Sequence, residues 1–426
     1  MKKYHAYIPL ICIMICAVLS LAIWGKRNDF HIALRETSDS EHGSVGDFNE
    51  IKDLKYTLGV GTYNQDWIIK GNGKNLTTTY TMEPDQSVYL SHRKYNFKYY
   101  RSIRPILNED YFDKKDVITA KESGYSTDEN YNMVKVQKAD FIFEVYDADK
   151  NRIPITTFQI ETKNKEKELD FSYTLPDAPE QKVWLSGEGQ YYNDFTDLNE
   201  EPMILNDMEF ISIGVGSFDF KPSEVNFSKP IGGIYRIENG KVKQIIQMDM
   251  KQDILYSACL GKDKLYAIVQ KKDTVYLDQY DIDGNLLHEM KLNIEPNLNE
   301  AEITVKDDRV FASVVVATDT MNRTTSVVTI QNMDVETFRY DAGNYNYNYK
   351  YEYKDGKLII LSKQSNTINL RVLDKDKKLF DSDFYGDYQD DQKITLNSRY
   401  YSSEYVNPIY RLLNTEQREI GIIDVE

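Results

Sequence analysis

Alternating apolar and polar positions dominate the chain from Ile51 onward and predict short β-strands separated by turns. The clearest stretch runs from Asp253 to Leu292. It predicts four strands, at Asp253–Leu260, Lys264–Gln270, Thr274–Tyr280 and Asn285–Leu292. The breaks between them, Gly-Lys-Asp, Lys-Lys-Asp and Asp-Ile-Asp-Gly, are turn sequences, so this stretch predicts an antiparallel meander.

The third predicted strand is apolar on both faces. Val275 and Leu277 point to one side, and Tyr276 and Tyr280 point to the other. An antiparallel sheet with one solvated face would be polar on that face. We therefore expect neighbouring structure to cover this sheet on both sides.

A turn sequence recurs along the chain with apolar residues on either side. The best copies are Tyr146–Ile153, Tyr280–Leu287 and Leu373–Phe380, and weaker ones are Leu413–Ile420, Ile237–Val242 and Gln331–Phe338. Its first aspartates, Asp147, Asp281 and Asp374, are separated by multiples of about 45 residues, a period typical of four-stranded blades. Leu265, Val310 and Leu358 follow related turns and are predicted to open equivalent strands.

These strand–turn–strand units resemble bacterial β-propeller repeats over roughly Gly232 to Glu426. The resemblance implies an all-β fold, a propeller of about seven or eight four-stranded blades, and implies no particular activity. We expect regular blades over 231–426, and irregular blades or a separate β domain over 51–230. The alternative is a β-sandwich plus a smaller propeller, because Phe141–Tyr146, Ile155–Ile160 and Phe171–Leu175 suit a sandwich equally well.

The N-terminal residues predict a membrane anchor. Residues 7–24 are uncharged and would span about 27 Å as a helix, close to the thickness of the hydrocarbon layer. This predicts a cytoplasmic tail over 1–6, a transmembrane helix over 7–24 and a flexible, polar stalk over 25–50. A cleaved signal peptide is the competing interpretation. The expected location is the cell membrane, single-pass, with the large C-terminal domain outside the cytoplasm.

Charge and cysteine content narrow the function classes. The net charge is −16, from 68 acidic and 52 basic side chains, which argues against bulk nucleic-acid binding. Cys12 and Cys16 lie in the apolar run, so Cys259 is alone in the remainder and no disulfide can form there.

Two stretches suggest binding surfaces. One is basic with interleaved aromatic residues and suggests contact with an anionic partner, or charges that pair with neighbouring acids: Arg93, Lys94, Lys98, Arg101 and Arg104. The other repeats tyrosine at every second position and would form one strand face, for stacking on sugar rings or for packing between blades: Tyr345, Tyr347, Tyr349, Tyr351 and Tyr353.

Candidate chemistry is sparse. Asp147-Ala-Asp149 begins like a calcium loop, but Arg152 stands where the sharp bend requires glycine, and we expect hairpin turns without metal. His92 and His288 are the histidines after residue 50, too few for a zinc site or a His-based triad, and we expect His288 to be solvated. No cofactor motif is recognisable, and no catalytic residue can be assigned.

The sequence therefore favours a non-catalytic binding or assembly module at the cell envelope, with an envelope protein or glycan as partner. One alternative is an enzyme that acts on envelope polysaccharide through paired carboxylates. Another is a sensor or regulator of an envelope system. The sequence does not identify the ligand.

Overall fold

The computed structural model describes residues 11–20, 32–35, 45–62, 65–81, 99–106, 108–119, 131–147, 151–164, 168–174, 183–186, 203–214, 225–250, 252–296, 298, 300–317, 323–341, 348–364, 367–386 and 419–426. The chain divides into two compact units, Met1–Lys94 with Phe338–Glu426, and Tyr95–Thr337.

Most of the described residues are in β-strands, because short apolar runs alternate with turn sequences. In chain order the strands are β1 (Ile32–Leu34), β2 (Val45–Gly46), β3 (Lys55–Thr62), β4 (Gln65–Asn72), β5 (Asn75–Thr81), β6 (Tyr99–Ile106), β7 (Ile118–Thr119), β8 (Tyr131–Val136), β9 (Lys138–Asp147), β10 (Arg152–Thr162), β11 (Leu169–Thr174), β12 (Val183–Ser186), β13 (Met203–Leu205), β14 (Met208–Ile213), β15 (Val225–Phe227), β16 (Gly232–Glu238), β17 (Lys241–Met248), β18 (Asp253–Leu260), β19 (Lys264–Lys271), β20 (Thr274–Asp281), β21 (Leu286–Lys291), β22 (Glu300–Lys306), β23 (Arg309–Ala317), β24 (Arg323–Gln331), β25 (Asp334–Asp341), β26 (Asn348–Lys354), β27 (Lys357–Gln364), β28 (Thr367–Asp374), β29 (Lys377–Gly386) and β30 (Glu419–Val425). Short 3-10 helices occupy Phe48–Ile51, Glu109–Tyr111 and Lys114–Asp116.

The strands form seven antiparallel sheets. In order across each sheet, they are sheet 1 (β30-β3-β4-β5), sheet 2 (β6-β9-β10-β15), sheet 3 (β7-β8-β11-β12), sheet 4 (β13-β14-β16-β17), sheet 5 (β18-β19-β20-β21), sheet 6 (β22-β23-β24-β25) and sheet 7 (β26-β27-β28-β29, with β1 and β2 added). Sheets 5, 6 and 7 are simple meanders of consecutive strands, and the four strands predicted over 253–292 are confirmed to within one residue at each end as sheet 5.

The repeated turn marks equivalent corners in four successive sheets. Glu238, Asp281, Gln331 and Asp374 each end the third strand of sheets 4, 5, 6 and 7. Leu265, Val310 and Leu358 each occupy the second residue of a second strand and are buried, as predicted. Asp147 forms the predicted turn, because the backbone and side-chain N–H groups of Asn151 donate to its carboxylate as those of Asn285 donate to Asp281. Its predicted position is wrong, because this turn joins the two central strands of sheet 2, whereas the turn after Asp281 leads to the outer strand β21.

Consecutive strands of the chain are divided between sheets 2 and 3. β8 and β9 are separated only by Gln137, yet β8 belongs to sheet 3 and β9 to sheet 2. In the same way, β10 belongs to sheet 2 and β11 to sheet 3. The long hairpin from β8 to β11 therefore contributes its inner strands to sheet 2 and its outer strands to sheet 3. Sheets 2, 3 and 4 contribute to one hydrophobic core, which includes Phe143, Val136 and Ile213.

Sheet 1 joins the two ends of the chain. β30 pairs with β3, and the backbone N–H and C=O groups of Lys55 and Glu426 form a reciprocal pair at 3.0 and 2.7 Å. Leu58 and Val60 of sheet 1 share a core with Leu370 and Phe380 of sheet 7. This core belongs entirely to the unit that contains both chain ends.

The segment before β3 is built onto sheet 7. We call β1, β2 and the 3-10 helix Phe48–Ile51 the strap. β1 and β2 both pair with the outer strand β29, and Leu34 and Ile51 are buried in the core of this unit. The prediction of a flexible stalk over 25–50 therefore fails for 32–35 and 45–50, because a few apolar residues within a polar composition are sufficient to anchor a strand.

Gly46 allows the strap to approach β29 closely. Its φ angle is +102°, and an added Cβ would lie 2.1 Å from the carbonyl oxygen of Leu379. Only glycine fits that position without displacing backbone.

At the N-terminus, the structure describes residues 11–20 of the predicted span 7–24, and they form a helix with exposed side chains. Within the described parts of the chain, no helix has the length and apolar character needed to cross a membrane. The predicted tail, residues 1–6, lies outside the described residues.

Candidate functional site

A cleft of about 550 Å³ opens between sheets 5 and 6, a volume in the range of small-ligand sites. Its lining combines charged, polar and apolar residues: Lys262, Asp263, Lys264, Tyr266, Gln279, His288, Met290, Val305, Asp308, Val310, Ile330, Asn332 and Met333.

Three turns at the corresponding end of the two sheets form the rim. They connect β18 to β19, β22 to β23, and β24 to β25. Asp307 and Asp308 have φ angles of +47° and +62°, and Asn332 and Met333 have +50° and +71°. These left-handed conformations produce tight reversals, and Met333 is left 50% exposed at the rim.

The floor of the cleft is apolar apart from one polar pair. Met290, Val310 and Ile330 are buried. The Nε2 of Gln279, which is 8% exposed, donates a hydrogen bond to the hydroxyl oxygen of Tyr266 at 3.0 Å. Burial raises the pKa of the Tyr266 phenol above its usual value, and the nearby charges of Asp263 and Asp308 add to that rise. The phenol therefore stays protonated and can serve as a hydrogen-bond group in an apolar floor.

Gly261 leaves room for the tyrosine ring, since a Cβ at that position would lie 2.9 Å from the Cε2 atom of Tyr266. The charged side chains of Lys262, Asp263 and Asp308 are exposed, and His288 is exposed as predicted. The cleft thus places its charges in water and its apolar surface inside, an arrangement that suits binding more directly than acid–base catalysis.

The predicted basic surface is only partly described. Arg93, Lys94 and Lys98 lie outside the described residues. Arg101 is 7% exposed and donates to the carbonyl oxygen of Ser212, so it does not belong to a surface. For this residue the prediction of an anionic-partner site is wrong, because the β6 strand turns its side chain toward sheet 4.

Arg104 forms an ion pair. Its Nε lies 2.9 Å from Oε1 of Glu144, and Nη1 of Arg152 lies 3.1 Å from the same oxygen. Glu144 is only 3% exposed. Arg104 thus neutralises a buried carboxylate, as in the interpretation that strand charges pair with neighbouring acids.

The tyrosine row is also incompletely described, since Tyr345 and Tyr347 lie outside the described residues. The rings of Tyr349 and Tyr351 stack at 6.0 Å, and Tyr353 meets Phe338 edge-on at 6.2 Å. Tyr351 is 6% exposed, so its ring is packed inside and is unavailable to a sugar.

Two buried ionic clusters lie outside the cleft, and the first is in sheet 5. Asp278 is fully buried, and its Oδ2 accepts hydrogen bonds from Lys271 Nζ and from the Tyr280 hydroxyl, both at 2.8 Å. Glu289 also contacts Lys271. Burial raises the pKa of the Asp278 carboxyl above its usual value, and the partial compensation by Lys271 does not reverse that shift. Burial lowers the pKa of Lys271, but its bonds to the two carboxylates outweigh this effect and hold it above normal.

The second cluster is in sheet 7. Arg371 Nε donates to Asp381 Oδ2 at 3.1 Å, and Asn369 Nδ2 donates to Asp381 Oδ1 at 2.7 Å. Arg371 also lies over the ring of Tyr340 at 5.1 Å. Burial raises the pKa of Asp381, but the charge of Arg371 and the hydrogen bonds from Lys378 and Asn369 outweigh it and hold the pKa below its usual value.

Sequence reasoning did not find the cleft, although it identified the turns around it as strand breaks. The available signal was that Lys262–Lys264 and Asp307–Arg309 open equivalent second strands, which places both turns at the same end of adjacent sheets. Among the described residues, no cluster of His, Cys, Asp and Glu is arranged to hold a metal ion.

Comparisons with known proteins leave the family open. No family model and no curated protein matches the chain. Among solved structures it is similar to a prolyl endopeptidase (11% identity, 76% of this chain and 56% of the other, TM-score 0.24). It is also similar to the β-propeller domain of the Trilobed protease from Pyrococcus furiosus (10%, 77% and 94%, TM-score 0.28) and to TolB from Acinetobacter baumannii (9%, 82% and 82%, TM-score 0.27). These TM-scores are too low to assign a fold or an activity, so the described architecture depends on the strand pairing alone.

Proposed function

We propose that the chain is a membrane-anchored β-propeller of about seven blades that acts outside the cytoplasm as a non-catalytic binding module. The seven antiparallel sheets and the pairing of β30 with β3 support the propeller. The uncharged run over 7–24 supports the anchor.

The cleft between sheets 5 and 6 carries the proposal of binding. Its lining combines a small apolar floor at Met290 and Val310 with a largely polar rim, so a ligand would gain both hydrogen bonds and some apolar contact. The Gln279–Tyr266 pair is fixed by a hydrogen bond and can orient a ligand.

A site-specific crosslinking experiment tests the binding function. A photoreactive residue at Met333, on the cleft rim, is compared on intact cells with one at Tyr385, which lies on β29 and is similarly exposed, at 43% against 50%. We expect one dominant adduct from position 333 and not from position 385. Equal labelling from both positions, or none from either, would contradict a binding role for the cleft.

The anchor requires its own measurement. We expect the full chain to stay with the membrane fraction after alkaline extraction, and a C-terminal tag to be digested by protease added to intact protoplasts. Release of the chain by alkali would indicate a cleaved segment instead, whereas a protected tag would place the domain inside the cell.

The alternative of a polysaccharide-acting enzyme has one supporting observation, which is that Asp263 and Asp308 both line the rim of one cleft. The variants Asp263→Asn and Asp308→Asn would each abolish release of reducing ends from purified cell wall if these groups acted as a catalytic pair. The control is Asp273→Asn, an exposed aspartate in the turn between β19 and β20. We expect no such release by the unmodified chain.

A further inference from the structure

We infer that the cleft and the outer strand β21 together bind an extended segment of a partner protein, which adds a strand to sheet 5 and places a large side chain with an apolar body and a polar tip in the cleft. This inference rests on the proposed binding function and names the class of ligand.

The first supporting observation is the edge of sheet 5. β21 pairs with β20 on one side, and within the described residues no strand pairs with its other side. An edge strand exposes unpaired backbone N–H and C=O groups, which can accept an additional strand. Leu286 and Leu287 are 50% and 42% exposed on this strand, so the edge also offers apolar area.

The chain itself contains an example of strand addition at the equivalent position. β29 is the fourth strand of sheet 7, as β21 is of sheet 5, and β1 pairs antiparallel along it from Ile32 with Gly386 to Leu34 with Phe384. Leu34 is 5% exposed and inserts into the core of that unit. The strap, anchored by Leu34 and Ile51, therefore shows that this kind of edge accepts an added strand.

The cleft is continuous with the β21 edge. Tyr266, Gln279 and His288 lie side by side across β19, β20 and β21, since Tyr266 pairs with Gln279 and Gln279 with His288. Alternate residues of a strand point to the same face. A strand beside β21 would therefore present every second side chain next to His288 and Met290, both of which line the cleft.

The floor and the rim of the cleft suit different parts of one side chain. Met290, Val310 and Ile330 supply apolar contact at the floor and the rim is polar, so the cleft matches a large side chain with an apolar body and a polar tip. Tyr266 and Gln279 provide one fixed polar pair, which matches a single polar tip or a backbone group.

Peptide selection tests the inference. A display library of random nonapeptides is selected on the full chain in detergent, and the enriched peptides are expected to carry a central large residue with an apolar body and a polar tip, without proline beside it. Isotope labelling of the methionine methyl groups should show shifts at Met290 and Met333, and amide exchange in β21 should slow.

Matched variants locate the site. Met333→Glu, on the cleft rim, should weaken the selected peptides by about 10-fold or more. Ile118→Glu introduces the same charge at a similarly exposed residue, 45% against 50%, on β7 of sheet 3, away from the cleft and β21, and should leave peptide binding unchanged. No enrichment, or equal binding to both variants, would overturn the inference.

A second ligand separates this inference from the function on which it depends. Soluble cell-wall glycan fragments are titrated into the same labelled chain. Methyl shifts at Met290 and Met333 with glycan and not with peptide would refute strand addition but retain the cleft as a binding site. Shifts with neither glycan nor selected peptide, together with no crosslinked adduct, would refute both.

Discussion

Sheets 5 and 7 have the same backbone plan and different buried charges. Each is a four-strand meander, and each has a register shift at the same place, between Gln279 and Tyr280 in one and between Val372 and Leu373 in the other. Three residues before the repeated aspartate, sheet 5 has Asp278 and sheet 7 has Arg371.

The residues opposite Asp278 and Arg371 on the neighbouring strands show how the two sheets differ. Asp278 lies opposite Glu289, and Arg371 lies opposite Asp381. Sheet 7 thus pairs opposite charges directly, whereas sheet 5 places two carboxylates together and needs Lys271, from β19, to neutralise them. The two sheets therefore have the same strand register, whereas each neutralises its buried charges with a different set of residues.

Removing the carboxylate from the sheet 7 pair should have the largest effect. Asp381→Asn leaves the Arg371 guanidinium, whose side chain is 7% exposed, buried without its counter-charge. We expect a loss of about 3–5 kcal/mol in the free energy of unfolding, measured by urea with circular dichroism on the full chain. Asp376→Asn, in an exposed turn, is the control, and a loss no larger than in that control would show that the pair is not needed.

The strap distinguishes the outer strands of the two sheets, because it covers β29 and not β21. Gly46→Ala should destabilise the strap by about 1–3 kcal/mol, since the new Cβ meets backbone and φ is positive. The measurement is amide exchange at residues 32–34, which should accelerate while exchange in sheet 5 stays unchanged.

Gly356→Ala is the matched control, with φ of +76° and no atom within 4 Å of the new Cβ. If both alanine variants accelerate exchange in the strap equally, the close approach of Gly46 to β29 does not hold it.

The two clusters should respond to pH in opposite directions. The pKa of Asp278 is raised on folding, so it favours the folded state at low pH and loses that contribution as pH rises above 3.8. The pKa of Asp381 is lowered, so its contribution is present above 3.8 and is lost as pH falls through its folded value. Unfolding of the unmodified chain, Asp278→Asn and Asp381→Asn across this range should give differences of opposite slope, and parallel slopes would contradict the contrast.

The smallest effect should come from the exposed member of the sheet 5 cluster. Glu289 has a side chain that is 40% exposed, and Glu289→Ala should cost no more than about 1 kcal/mol. The same urea experiment measures it. A loss as large as that of Asp381→Asn would mean that Glu289, and not Asp278, is the main partner of Lys271.

The sequence predicted the strands that pair with their neighbours along the chain. The bounds of β18 to β21 and the equivalence of Leu265, Val310 and Leu358 followed from alternation and turn residues, because a meander pairs each strand with its neighbour in sequence. The division of β8 and β9 between two sheets did not follow, since Gln137 interrupts an otherwise continuous apolar alternation without any turn signal.

Neither the pairing of strands far apart in sequence nor the cleft could be predicted from the sequence. The pairing of β30 with β3 and of β1 with β29 joins segments far apart in sequence, and their partners are selected by shared cores and not by local residues. Arg101 was assigned to a surface because its neighbours are charged, whereas its environment is fixed by Ser212, more than one hundred residues away.

The pairing of β30 with β3 also sets the order in which the molecule can be completed during synthesis. β3, β4 and β5 leave the ribosome early, yet the strand that finishes their sheet is translated after residue 418, roughly 20–70 s later at ordinary elongation rates. Over that interval one side of β3 has no native partner. This edge of β3 then stays open to pairing with other chains, and products released before residue 419 should aggregate through this strand.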